Sequence, residues 1–169
     1  MHMTKKNRFP IFFFLAALCA FSVSGAGAVS AFGEDGQERY AVLRDNAVNL
    51  RSGPGQRYPV RWVLRRAGMP VKIIRDFDVW RQIELFDGET GWVHVNLLSR
   101  GKNALVLGEA GSYAEMRAAP SAEAGILLRL ESGVIVKLDQ CVKAWCSIGI
   151  SGYKGWLPAS VLWGDTAEN

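Results

Sequence analysis

An internal repeat constrains the fold of this chain more than any other feature of its sequence. Asn49-Leu-Arg-Ser-Gly-Pro54 lies opposite Glu115-Met-Arg-Ala-Ala-Pro120, so that Arg51 matches Arg117 and Pro54 matches Pro120 at one offset of 66. Gly68, Val71, Lys72 and Trp80 match Gly133, Val136, Lys137 and Trp145 at an offset of 65. Gly91-Trp92 then matches Gly155-Trp156 at 64, and Leu97-Leu98 matches Val161-Leu162 with the same shift. Two one-residue deletions in the second copy account for the drift. A chain that repeats several anchors of distinct types in one order folds as two like units.

Each copy reads as short strands punctuated by turns, with no helical period, which predicts an all-β fold of two tandem small barrels. In copy one, Ala47 to Leu50, Val60 to Leu64, Val71 to Arg75, Trp80 to Leu85 and Gly91 to His94 are rich in β-branched and aromatic residues. Ser52-Gly-Pro-Gly55, Ala67-Gly-Met-Pro70 and Phe86-Asp-Gly-Glu-Thr90 supply the turns, the last carrying the Asp-Gly pair favoured in hairpins. Val95 to Leu98 is expected to form a one-turn helix whose leucines plug the barrel end. Copy two repeats the pattern at Val134 to Leu138, Trp145 to Ile150 and Lys154 to Leu157, and Ala104 to Leu107 leads into it as Tyr40 to Leu43 leads into copy one. The expected domains are 39–100 and 104–164. Gly101-Lys102-Asn103 is too short a linker to let them swing freely.

The residues ahead of the repeat read as an export signal occupying 1–31. Lys5, Lys6 and Arg8 precede the apolar run Phe9 to Val23, and Ala26-Gly27-Ala28 or Val29-Ser30-Ala31 offers a small-residue cleavage site. A retained anchor is the alternative, because no charge falls between Phe9 and Gly33. Membrane contact is expected only through that segment, and the compartment is periplasmic or secreted. Of the formal net charge of +4, Lys5, Lys6 and Arg8 belong to the signal, so the mature chain is near neutral. That argues against nucleic acid as a partner.

The signal also contains Cys19, which leaves Cys141 and Cys146 as an even pair in an exported chain. Cys141-Val-Lys-Ala-Trp-Cys146 fits a tight hairpin with its sulfurs on neighbouring strands, so a disulfide is expected. A redox pair or metal site is the alternative, but no other Cys or His lies near to complete a tetrahedral shell. Asp76 and Asp78, separated by Phe77, fall far short of a calcium loop. No metal and no cofactor are expected.

Val48-Asn-Leu-Arg-Ser-Gly-Pro-Gly55, Tyr58-Pro-Val60, Trp80 and Gly91-Trp-Val93 together resemble bacterial SH3-like domains. The resemblance spans nearly the whole mature chain. Copy two departs from it with Ala118-Ala119 in place of Ser52-Gly53 and with no Tyr-Pro pair. The order of Cys141 followed by Trp145-Cys146 is similar to a subgroup that stands alone after a signal peptide in exported proteobacterial proteins. What the resemblance implies is a cell-envelope binding module, of a kind often joined to peptidoglycan hydrolases and engaging cell-wall peptides or glycans.

A non-catalytic role is expected, because beyond the signal the chain holds one histidine, His94, and its cysteines are used in the disulfide. Arg51, beside a Gly-Pro-Gly turn, either meets a ligand carboxylate or hydrogen-bonds loop carbonyls, and Arg117 would do likewise. Trp80 and Trp92 recur in copy two as Trp145 and Trp156, which marks them first as core. Tyr58 and Trp62 have no counterpart and are freer to line a groove beside the Arg51 turn. His94 is either a structural residue at the barrel end or a ligand contact. The candidate ligand-binding set is therefore Arg51, Tyr58, Trp62, Trp80 and His94. The expected partner is peptidoglycan peptide or glycan, with an envelope protein as the alternative and cell-wall hydrolysis as the third reading.

Overall fold

The computed structural model describes residues 39–166. The expected signal segment lies outside the described residues. The first copy comprises β1 (Arg39–Leu43), β2 (Val48–Arg51), β3 (Val60–Leu64), β4 (Pro70–Phe77), β5 (Trp80–Glu84), β6 (Thr90–His94) and β7 (Leu98–Ser99). The second comprises β8 (Asn103–Val106), β9 (Tyr113–Arg117), β10 (Ile126–Glu131), β11 (Ile135–Val142), β12 (Trp145–Ile150), β13 (Tyr153–Pro158) and β14 (Leu162–Gly164). Their antiparallel orders, β3-β2-β6-β5-β4-β1-β7 and β10-β9-β13-β12-β11-β8-β14, are the same order shifted by seven strands. The sequence repeat is thus a repeat of topology. Among the described residues no helix is long and apolar enough to cross a membrane.

The expectation of two closed barrels is corrected: each copy is one seven-stranded sheet, and no ladder joins its end strands. β7 is two residues long and spends its hydrogen bonds on β1, while β3 pairs only with β2. The sheet nevertheless coils around a single core, since Leu43, Val48, Leu50, Val71, Ile83, Val93 and Leu98, drawn from six strands, pack in one cluster. Bulges supply the bends. Register shifts fall between Leu50 and Arg51 and between Ile73 and Arg75, and the second copy has its own between Ile126 and Leu128 and between Leu138 and Cys141.

Local chemistry accounts for the connections. Gly68 (φ 78°) and Gly88 (φ 83°) take the left-handed conformation in the Ala67–Pro70 and Phe86–Thr90 turns, where a side chain would be strained. The one-turn helix is a 3-10 turn at Val95–Leu97 followed by a buried Leu98. Cys141 and Cys146 stand opposite each other across β11 and β12 and form the disulfide.

The halves touch. Asn103 Nδ2 donates to the Gly68 carbonyl at 2.7 Å, Ile135 packs against the core of the first half, and Tyr40 meets Trp163 edge-to-face at 5.6 Å. The short linker is therefore held on both sides rather than free.

On the outside of the first sheet, Arg39 Nη2 donates to both oxygens of Asp76, at 2.7 and 2.8 Å, and Arg81 Nε approaches Asp76 Oδ1 at 3.0 Å. The hydrogen bond from Arg39, aided by the positive charge of Arg39 and Arg81 and opposed by partial burial, holds the Asp76 carboxyl below the usual carboxylate range. The depressed value means that this clamp stabilises the fold above the ordinary carboxylate pKa, about 3.9, and is lost as pH falls through the lower folded value. A carboxyl-carbon NMR titration should place the Asp76 midpoint below the ordinary aspartate value of about 3.9, and Arg39→Ala should bring it back up. The pair is well exposed, so its effect on overall stability is small.

Candidate functional site

Arg51 ends β2 directly after the fully buried Leu50, and its backbone pairs with Trp92 on β6. Its side chain turns back on the loop that follows. Nη1 donates to the carbonyls of Gln56, at 3.1 Å, and Tyr58, at 2.8 Å. Backbone bonds close the same loop, from Ser52 N to the Pro59 carbonyl and from Tyr58 N to the Gly55 carbonyl. The Tyr58 ring covers Gly53 so closely that a Cβ there would sit 2.5 Å from Cδ1. Arg57 lies over the other part of the ring, its guanidinium carbon 5.2 Å from the centroid. Of the two roles open to Arg51, the structure displays the contact with loop carbonyls. Arg51→Ala is expected to free the loop at a cost of about 1 kcal/mol. Thermal denaturation and broadened amide resonances between 52 and 59 would register it.

Trp80 opens β5 and His94 closes β6, and the two are register partners. Trp80 is buried, its ring edge-to-face with the imidazole at 5.4 Å. His94 Nδ1 accepts from the Asn96 backbone N–H at 3.2 Å, capping the 3-10 turn. A neutral imidazole accepting at Nδ1 carries its proton on Nε2, so the ring retains one donor. Arg51, Trp80 and His94 converge on a groove of about 300 Å³ completed by Asn49, Gln56, Asn96 and Leu97. Its wall combines amide side chains, an imidazole, a guanidinium and one aromatic face, which suits a neutral or acidic ligand rich in amide or hydroxyl groups.

Three of the five predicted residues thus meet at one site. Tyr58 and Trp62 are not among its lining residues. Tyr58 fills the inside of the Arg51 loop, and Trp62 stands 58% exposed on the end strand β3, next to the exposed Val60 and Val63. Absence from the repeat therefore marked residues peculiar to the first half without saying that they share a groove. The sequence reading missed Asn49, Gln56 and Asn96. Asn49 was open to inference from strand alternation, since it lies between the buried Val48 and Leu50 and so must face outward.

The second half does not rebuild the groove. Arg117 Nη1 donates to the Ala124 carbonyl at 2.8 Å, as Arg51 does to its own loop, but Nη2 also bonds Glu115 Oε2 at 2.6 Å. Glu115 occupies the repeat position of Asn49 and neutralises the guanidinium. Pro158 faces Trp145 in register where His94 faces Trp80. Among the described residues there is no group of three or more His, Cys, Asp or Glu side chains placed to hold a metal ion.

Comparison with known proteins identifies this architecture. Residues 44–100 and 110–164 each match the bacterial SH3 domain family, and the chain belongs to that family. It is 25% identical over 130 residues to a Bacillus subtilis (strain 168) protein named "Putative N-acetylmuramoyl-L-alanine amidase YrvJ". That match takes in 72% of this chain but only 25% of the relative, so the chain spans about a quarter of that protein's length. Among solved structures, NlpC1 of Trichomonas vaginalis is similar over 79% of this chain and 48% of its own, at 16% identity and a TM-score of 0.35. NlpC2 of the same organism gives 75%, 48%, 15% and 0.35.

Proposed function

We propose that this protein is an exported, non-catalytic cell-envelope binding module whose first half takes a peptidoglycan peptide or glycan. The observation that carries the reading is the groove in which Arg51, Trp80 and His94 meet between amide side chains. Membership of the bacterial SH3 domain family and similarity to a protein named as an N-acetylmuramoyl-L-alanine amidase support the ligand class. Peptide stems and N-acetylated sugars present amide groups that Asn49, Gln56 and Asn96 can pair, while a stem carboxylate suits the guanidinium. Trp80 supplies the apolar floor. Tyr58 holds the loop in shape, and Trp62 offers an exposed ring to the part of a long ligand that leaves the groove.

Co-sedimentation of the protein with purified peptidoglycan sacculi tests the reading. The wild type is expected in the pellet, and His94→Ala with Asn96→Ala is expected to shift most of it to the supernatant, both side chains being outside the buried core. A wild type that stays in the supernatant sinks the cell-wall reading and favours the second one, a protein-interaction adaptor. The specific observation behind that second reading is the end strand β3, whose Val60, Trp62 and Val63 are exposed beside an unpaired edge. Release of soluble wall fragments during the same incubation would replace the non-catalytic reading with a hydrolase.

A further inference from the structure

The charge of the repeat is not shared equally. From Arg39 to Arg100 the chain carries eleven Lys or Arg against six Asp or Glu, whereas from Gly101 to Thr166 it carries six of each. The overall near-neutrality of the mature chain hides a basic first half.

Much of that excess gathers at one place. A cleft of about 730 Å³ opens where β1, the 3-10 turn and β7 meet the end of β14, and Arg39, Arg44, Arg81 and Arg100 all line it. Arg39 and Arg81 are bound to Asp76. Arg44 and Arg100 are exposed, and neither has an acidic partner among the described residues. Asp165, the one acid in the wall, comes from the second half. Four guanidinium groups against Asp76 and Asp165 leave a local surplus of two positive charges. The cleft shares no lining residue with the Arg51 groove, and the 3-10 turn separates them: Val95 and Leu98 face the cleft, Asn96 and Leu97 the groove.

We infer that this cleft is an anion site that takes a phosphate group, with Arg44 and Arg100 as its direct contacts. Four arginines in one concavity match phosphate by geometry, because each guanidinium offers a planar fork of donors to oxygen pairs. A phosphate monoester dianion matches the surplus of two charges. The Arg39–Asp76–Arg81 clamp holds one wall in place, and the Tyr40–Trp163 contact fixes the second half against the other. The proposal stands apart from the groove reading, since it uses different residues and a different ligand chemistry.

Titration of the protein with inorganic pyrophosphate, followed by amide NMR, tests it. Shifts are expected to concentrate on 39–44 and 95–100. Arg44→Gln with Arg100→Gln should weaken binding about tenfold or more, while the charge-matched pair Arg65→Gln and Arg75→Gln should leave it within about threefold. All four side chains are exposed, so an unchanged melting temperature verifies the fold of both variants. Equal weakening by the two pairs, or shifts that avoid the cleft, would overturn the proposal by reducing the effect to diffuse charge. Two further arms name the source of the phosphate. Flotation with phosphatidic acid, a phosphate monoester, in phosphatidylcholine vesicles that depends on Arg44 and Arg100 indicates a lipid headgroup, and shifts with glucose 6-phosphate alone indicate a soluble or glycan-borne one. Failure of sacculus binding by the groove variant leaves all these outcomes untouched.

Discussion

Alanine at Gly155 is expected to destabilise the second half by about 3 kcal/mol, and alanine at Gly91 to do nearly the same to the first. Neither glycine is needed for its backbone conformation, because neither has a positive φ. The constraint is steric. A Cβ on Gly155 would stand 2.8 Å from the Arg117 carbonyl oxygen and 2.7 Å from Met116 Cγ. On Gly91 it would stand 3.0 Å from the Arg51 carbonyl oxygen and 2.5 Å from Leu50 Cγ. Leu50 and Met116 are fully buried, and the two carbonyls belong to the sheet, so nothing nearby can give way cheaply. β6 must cross β2 at this distance, and β13 must cross β9, for each sheet to coil over its core. In a unit of this size, melting should fall by roughly 10 °C or more. Differential scanning calorimetry provides the test, with Gly125→Ala as control, since nothing lies within 4 Å of a Cβ there. A Gly155→Ala protein melting within about 2 °C of wild type would show that β9 and β13 do not depend on that close crossing.

Removing the disulfide by Cys141→Ala with Cys146→Ala is expected to cost the second half about 2 kcal/mol, the chain-entropy value for so short a loop. Both half-cystines are buried, so alanine is the better replacement than serine, whose hydroxyl would enter the core. The bridge also restrains an unfavourable turn. Lys143 and Ala144 both have positive φ, 49° and 64°, in the two-residue connection between Val142 and Trp145. Such turns ordinarily use Asn and Gly. Adding Ala144→Gly to the cysteine double variant should therefore recover part of the loss, about 1 kcal/mol. Calorimetry with and without reductant distinguishes the contributions. A reduced wild type as stable as the oxidised protein would contradict the account.

Much of this structure was legible because the turns carry their own chemistry. Gly68 and the Asp87-Gly88 pair mark positions that need a left-handed residue, and the separation of five between Cys141 and Cys146 specifies a hairpin. The β-branched and aromatic run Val60 to Leu64 coincides with β3 at both ends. Other features gave weaker signals. β10, Ile126–Glu131, lies in a run whose Ile-Leu-Leu-Arg-Leu pattern has no strict alternation, because four of its six residues are exposed at the sheet end. β4 and β11 run past their expected ends to Phe77 and Val142, since pairing with the next strand continues to the hairpin turn even where side chains are polar. At the site, composition could not decide what Arg51 touches, as its partners are backbone carbonyls that any residue could supply. The arginine cleft was hidden for a related reason. Arg81 and Arg100 are far in sequence from Arg39 and Arg44, and the pairing of β1 with β4 and β7, and of β4 with β5, brings them together.

The edge-to-face contact of Tyr40 with Trp163 has a mechanical consequence. Tyr40 lies in the first described strand and Trp163 in the last, so the two ends of the described segment meet at one corner. A load applied through residues 39 and 166 would bear on that corner and on the ladders of β1 and β14, with little of it reaching the groove at Arg51. By the same geometry, a short peptide joining residue 39 to residue 166 would permit the described segment to be reopened elsewhere, and the exposed loop around Gly125 is the natural place for new termini.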